Sequence, residues 1–232
     1  MIDPILCEGI NDGWFLQELI TRDYQKEPLL YDNKISEFLR AVQSSSSYYK
    51  ERYPCLILSD NGHQLMDKYL PQTIRDLFGK TNAGNTTFIV LKDNDGSPDE
   101  MLMRQYLAKT KRILPAKNLK KADISLDRNT QNLLITSTED NSYSFTFSFI
   151  FVSGSLESEI VSRYSDKYRP NKTESKRLKG MDPHKALEYI AAVNEKFKNR
   201  EEVIRTSVNE NWFSDERWFQ DLCVKIREIP PL

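Results

Sequence analysis

Thr86-Thr87-Phe88-Ile89-Val90-Leu91 runs directly into Lys92-Asp93-Asn94-Asp95-Gly96, and Ser97-Pro98-Asp99-Glu100 follows at once. A short run of β-branched and apolar residues bounded by turn residues reads as a buried strand. The polar cluster ending in Gly96 marks a sharp turn. Pro98 beside acidic residues then opens a helix. The stretch therefore reads strand, acidic turn, helix.

The same unit recurs on the N-terminal side. Residues 4–8, Pro-Ile-Leu-Cys-Glu, form an apolar strand ending at Glu8-Gly9. Asn11 or Asp12 caps a helix whose inner face carries Phe15, Leu16, Leu19 and Ile20. A second amphipathic helix over 33–43 turns Ile35, Phe38, Leu39 and Val42 inward. Residues 55–58, Cys-Leu-Ile-Leu, make another strand, ending in Ser59-Asp60-Asn61-Gly62. The helix after it carries Leu65, Met66, Tyr69 and Leu70, breaks near Pro71 and resumes to Phe78. Alternating strands and helices predict a parallel sheet with helices packed on it. Ligands of such sheets bind beyond the carboxyl ends of the strands. Glu8, residues 59–62 and residues 93–96 all lie at those ends.

The second half changes character. Segments 124–126, 133–138 and 143–152 read as an antiparallel meander. In the last of them Tyr143, Phe145, Phe147, Phe149 and Phe151 alternate with polar residues, which puts the rings on one face. Core packing is the expected use of that stripe, and base stacking is the alternative. Helix resumes after Gly154. The polar stretch 164–180, rich in Lys and Arg, reads as a loop. Asp182-Pro183 starts a helix with Leu187, Ile190, Ala191, Val193 and Phe197 inside. A last helix spans about 214–227 and buries Phe219, Leu222, Cys223 and Ile226. The expected division is a core over 1–112 and a meander with helical extension over 113–232, packed as one compact unit.

Composition sets bounds. In 232 residues, 33 Lys and Arg nearly balance 34 Asp and Glu, for a net charge of −1. That balance neither supports nor excludes a nucleic-acid substrate. A chain of this size buries enough surface to fold without disulfides or metal. Cys7, Cys55 and Cys223 match no zinc or disulfide pattern and read as reduced core residues. With no signal peptide and no apolar run approaching roughly 18 residues, the expectation is a cytoplasmic protein without membrane segments.

The acidic residues carry the chemistry. Strand residues i and i+2 point the same way, so Asp93 and Asp95 are expected to face one ion. Mg²⁺ suits such a pair because it takes one or two carboxylates, several waters and phosphate oxygens. By spacing alone a solvated turn is an equal alternative. Glu8 adds to the case, since a carboxylate ending an apolar strand needs solvent, a partner or a cation. His63 and His184 make no nucleophile–histidine arrangement, and His184 is expected to be an exposed residue of a helix start.

Leu6-Cys7-Glu8-Gly9-Ile10-Asn11-Asp12-Gly13-Trp14-Phe15-Leu16 resembles the first motif of the Toprim domain, an apolar strand ending in glutamate-glycine before an apolar helix. Phe88-Ile89-Val90-Leu91-Lys92-Asp93-Asn94-Asp95-Gly96 resembles its second motif, the Asp-x-Asp pair. The resemblance covers roughly residues 4–112 and is closest to small stand-alone Toprim proteins related to the overcoming-lysogenization-defect (OLD) nucleases. It implies an α/β fold with a Toprim-like Rossmannoid parallel sheet. It also implies Glu8 as metal ligand or general acid/base, and Asp93 and Asp95 as ligands of Mg²⁺ or Mn²⁺. A further downstream acid would assist a second metal, with Glu157 the first choice and Glu159 the second. An ordinary helix start with acids at its positive end explains that segment equally well. Lys179 or Lys185 would meet substrate phosphate. Lys92 departs from the apolar residue usual before the pair and reads as a strand-end charge reaching solvent on the face opposite both aspartates.

The function so implied is metal-dependent hydrolysis of phosphodiester bonds in DNA or RNA. The chain has no Walker motif, so any ATPase acting with it is a separate chain. One alternative is a Mn²⁺-dependent nucleotide-sugar transferase using the Asp-x-Asp pair. Another is a non-catalytic Toprim module that binds nucleic acid or protein.

Overall fold

The structure is a computed structural model that describes residues 3–44, 47–60, 68–78, 85–113, 122–138 and 144–229. The expectations for Asn61, Gly62, His63, Leu65, Met66 and Tyr143 lie outside the described residues.

Strand β1 (Asp3–Cys7) leads into helix α1 (Ile10–Tyr24), then β2 (Leu29–Asp32), α2 (Ile35–Ser44), α3 (Ser47–Arg52) and β3 (Cys55–Ser59). Helix α4 (Leu70–Leu77), β4 (Asn85–Asp93) and α5 (Asp99–Ile113) complete the first half. The meander is β5 (Ala122–Asp127), β6 (Asn132–Ser137) and β7 (Ser144–Val152). Helices α6 (Leu156–Tyr168), α7 (Lys172–Lys179), α8 (Pro183–Val193), α9 (Arg200–Asn209) and α10 (Arg217–Arg227) follow.

All the described strands join one seven-stranded sheet in the order β2-β3-β1-β4-β7-β6-β5. Strands β2, β3, β1, β4 and β7 run parallel, and β6 and β5 continue the sheet antiparallel. The fold is thus a mixed α/β, Rossmann-like architecture with helices flanking a mostly parallel sheet. Ile5, Leu6, Leu56, Ile57, Phe88 and Val90 are fully buried. Apolar residues at successive positions are what a strand covered on both faces requires.

The meander therefore extends the sheet of the first half. Its last strand lies beside β4 over the pairs Asn85↔Ser144 through Asp93↔Val152. The aromatic stripe belongs to the core: Phe88 stacks on Phe147 with ring centroids 4.7 Å apart, and Tyr106 meets Phe149 at 4.5 Å.

Several local expectations are corrected. Strand β2 was unforeseen because its Leu-Leu-Tyr-Asp run is short and lies at the sheet edge, only partly buried. The stretch 164–180 is largely helical. Asn171 caps α7 by accepting from the Glu174 amide, and buried Leu178 anchors it. Helix α8 stops at Val193, which is exposed, while Phe197 is buried beyond the helix end. Helix α9, unforeseen, packs against α1.

The C-terminal helices are fastened to α1. Phe15 packs on Phe213, Trp218 and Phe219 at centroid distances of 5.7, 5.9 and 6.0 Å. The Tyr24 hydroxyl meets the Ile226 and Ile229 carbonyls at 2.7 and 2.8 Å. Arg205 pairs with Glu18 at 2.6 Å. Among the described residues no helix is long and apolar enough to cross a membrane. Emptying the Phe15 site with Phe15→Ala is expected to cost about 3–5 kcal/mol of unfolding free energy, read from urea denaturation.

Candidate functional site

The carboxyl ends of β1 and β4 open into a cleft of about 500 Å³. Glu8, Asp93, Asp95 and Glu157 all line it, together with Asn11, Asp12, Asp60, Asp182, His184 and Arg200. Lys179 and Lys185 are exposed and are not part of its lining. A larger groove of about 650 Å³ lies between α10, β7 and the turn before β6, and Asn94 forms part of its wall. Its charged lining mixes Asp99, Glu216 and Asp221 with Arg128, Arg217 and Lys225, so it lacks the acidic bias of the smaller cleft.

Strand β4 ends at Asp93, and the chain turns through Asp95 (φ 49°) and Gly96 (φ 73°). The i, i+2 rule stops where the strand stops, so the aspartates have different surroundings. Asp93 Oδ1 accepts from the Leu156 amide at 3.0 Å, at the start of α6. Asp95 is 72% exposed and lies 3.7 Å from Lys92 Nζ. Asn94, between them, ties the two loops together. Its Oδ1 accepts from the Gly96 and Gly154 amides at 3.0 and 2.9 Å, and its own amide donates to the Val152 carbonyl at 3.0 Å.

Lys92 does not reach solvent. It is buried and donates to Glu8 Oε2 at 2.6 Å. An ammonium is tolerated there because carboxylates replace part of its hydration. Burial raises the pKa of Glu8, and Lys92 counteracts the rise.

Deeper in the cleft the balance is different. Asp12, in the first turn of α1, accepts from the Gly9 amide at 2.8 Å and is 5% exposed. Burial first, and then the charges of Asp93 and Glu157, push its pKa well above the ordinary carboxylate range. Asp93 is pushed up to about 8, by burial first and then by Glu157 and Glu8. Among the described residues no Lys, Arg or His forms an ion pair with either side chain. Glu157, 6% exposed in the first turn of α6, accepts from Asn11 Nδ2 at 2.7 Å. Asn11 Oδ1 is buried and has no hydrogen-bond partner among the described residues.

Arg200 supplies the cationic side of the cleft. It begins α9, lies 5.5 Å from the centre of the Trp14 ring and reaches Glu188 at 3.7 Å. Sequence reading missed Asp12, taken there only as a helix cap. It also missed His184 and Arg200 as cleft residues, since no local spacing links them to β1 or β4. The sequence signal for Asp12 was present: an acid four residues past a strand-end glutamate lies in the first turn of the next helix.

The donors suit a hard cation. They are carboxylates plus one unpartnered amide oxygen, the ligand chemistry of Mg²⁺ and Mn²⁺. Among the described residues no three His, Cys, Asp or Glu side chains are already grouped so as to hold a metal ion. Binding one therefore requires side chains to turn inward from their present partners. Comparison with protein-family models, with curated proteins and with solved structures finds no match for this chain.

The raised pKa of Asp93 has a definite sign in stability. The unfolded chain gives up this proton near pH 4 and the folded chain near pH 8, so stability falls as pH rises between those values. In buffer free of divalent ions, Asp93→Asn is expected to be more stable than wild type at pH 7.5 by several kcal/mol, at most about 5. The difference should vanish near pH 4, as read by chemical denaturation across the pH series.

Proposed function

We propose that this cleft binds Mg²⁺ or Mn²⁺ and that the protein hydrolyses phosphodiester bonds of nucleic acid there. The observation that carries the reading is the gathering of Asp12, Asp93 and Glu157, largely out of water, at the carboxyl edge of parallel strands. Carboxylates so placed repel one another unless protonated or neutralised by a cation. Asp12 and Asp93 are the inner ligands in this reading. Glu8 and Glu157 flank them, and Asp95 reaches in from the rim. When bound, such an ion polarises a phosphoryl oxygen and makes water a better nucleophile.

The protein's own residues do the rest. Arg200, held over the Trp14 ring and lining the same cleft, would draw a phosphate into it. Lys92 holds Glu8 in place and offsets charge beside the site. The Gly9 position leaves the backbone approachable, because a Cβ there would touch only Asp12 Oδ2, at 3.6 Å. The likeness of residues 4–112 to the Toprim motifs points to nucleic acid among phosphodiesters and to an ATPase as a separate working partner.

One observation favours the second reading, a module that binds without cutting. The Lys92 ammonium sits between Glu8 and Asp95, where the Toprim likeness would place an ion. The readings separate in a cleavage panel of single- and double-stranded DNA and RNA with Mg²⁺ or Mn²⁺. The nuclease reading expects cleavage that falls on the order of 100-fold or more in Asp93→Asn and Asp12→Asn. It expects Arg200→Ala to raise KM more than it lowers kcat. Intact substrates with wild-type protein, or variants that cut as well as wild type, would sink it. Thermal stabilisation by UDP- or GDP-sugars with Mn²⁺, but not by oligonucleotides, would assign the cleft to sugar transfer instead.

A further inference from the structure

His184 stands in the first turn of α8 and belongs to the cleft wall. Its backbone is locked, because Asp182 Oδ1 accepts from the His184 and Lys185 amides at 3.1 and 3.3 Å. One edge of its ring is held as well. Nδ1 lies 3.2 Å from Glu157 Oε1 and 3.2 Å from Asn11 Nδ2. The groups that hold it are buried, with Glu157 6% and Asn11 3% exposed. The His184 side chain itself is 60% exposed.

Nδ1 is engaged on the cleft wall from two sides: the Glu157 oxygen can accept from it and the Asn11 amide can donate to it. An ion on Nε2 would select the tautomer with the proton on Nδ1, where Glu157 Oε1 accepts it. Histidines that bind metal commonly donate their other ring N–H to a carboxylate, which orients the ring and raises its basicity. Asn11, whose buried Oδ1 has no hydrogen-bond partner among the described residues, belongs to the lining of the same cleft.

We infer that His184 Nε2 is a nitrogen ligand of the divalent ion and that Glu157 is the residue that positions it. The inference rests on the metal reading of the cleft and deepens it. Glu157 then acts through the imidazole rather than as a ligand in its own right. A mixed nitrogen and oxygen donor set also ranks ions: it favours Mn²⁺ over Mg²⁺, which prefers oxygen alone.

Pulsed electron paramagnetic resonance of the full chain loaded with Mn²⁺ tests this without recourse to activity. Wild type is expected to show the ¹⁴N coupling of a bound imidazole. The chain has two histidines, so loss of the coupling in His184→Ala assigns it to His184 rather than His63. Mn²⁺ affinity should fall about tenfold or more in that variant, while Mg²⁺ affinity changes less. Glu157→Ala is expected to lose or broaden the coupling. Glu157→Gln, which keeps an acceptor toward Nδ1, should retain it. A Glu157 that were only an oxygen ligand would leave the coupling unchanged in both variants. Bound Mn²⁺ without nitrogen coupling, or coupling that survives His184→Ala, overturns this inference and leaves the cation reading standing. Absence of any Mn²⁺ binding overturns both.

Discussion

The cleft depends on the parallel pairing of β4 with β7. Those strands run in step from Asn85↔Ser144 to Asp93↔Val152 and end together. Their exits are therefore neighbours, and the two loops bond to each other through Asn94, Asp95 and Gly154. From that junction α6 starts over Asp93, with the Leu156 amide on the aspartate and Glu157 next in the chain. A slip of one residue in this register would turn Asp93 to the other face of the sheet. It would also carry Glu157 away from Asp12. An acidic pair 64 positions apart in sequence, Asp93 and Glu157, is thus held by ordinary ladder hydrogen bonds.

Burying carboxylates here is made tolerable by the helices. Asp12 and Glu157 occupy the first turns of α1 and α6, where the helix dipole favours negative charge. Amides of Gly9 and Leu156 donate to Asp12 and Asp93. Such contacts lower a carboxylate pKa, yet the pKa values of both aspartates remain raised, so desolvation and mutual repulsion outweigh them.

Much of this was legible in the sequence because strand ends are legible. Apolar runs ending in Glu8 and Asp93 define where β1 and β4 stop, and parallel topology brings their ends to one rim. Glu157 was named only through the Toprim resemblance, and it joins that rim because β7, read in sequence as part of an antiparallel meander, pairs parallel with β4. What escaped depends on contacts between segments distant in sequence. Lys92 looked like a strand-end charge, because only the neighbouring β1 reveals Glu8 as its partner. Asp95 was assigned the direction of Asp93 by strand alternation, but Asp95 lies past the strand in a left-handed turn. Polar composition hid α7, since a short surface helix anchored by Leu178 carries almost no apolar stripe. His184 and Arg200 begin helices that reach the cleft only through the packing of α8 and α9 against α6 and α1.

Lys92 divides the acidic residues of the cleft into two electrostatically different halves. Its ammonium serves Glu8 and, at longer range, Asp95, so the outer half carries its own counter-charge within the fold. Asp12 and Asp93 have no ion-pair partner among the described residues, and burial with neighbouring carboxylates pulls both pKa values upward. The Glu8 pair is therefore a fixed structural element, and a ligand that displaced Lys92 would have to compensate a buried ammonium. The inner pair has no such obligation. Its electrostatic state is set by protons or by whatever cation enters the cleft. The Asp-x-Asp pair thus splits: Asp95 stays with the lysine at the rim, while Asp93 shares with Asp12 the part of the cleft whose carboxylates have no ion-pair partner among the described residues.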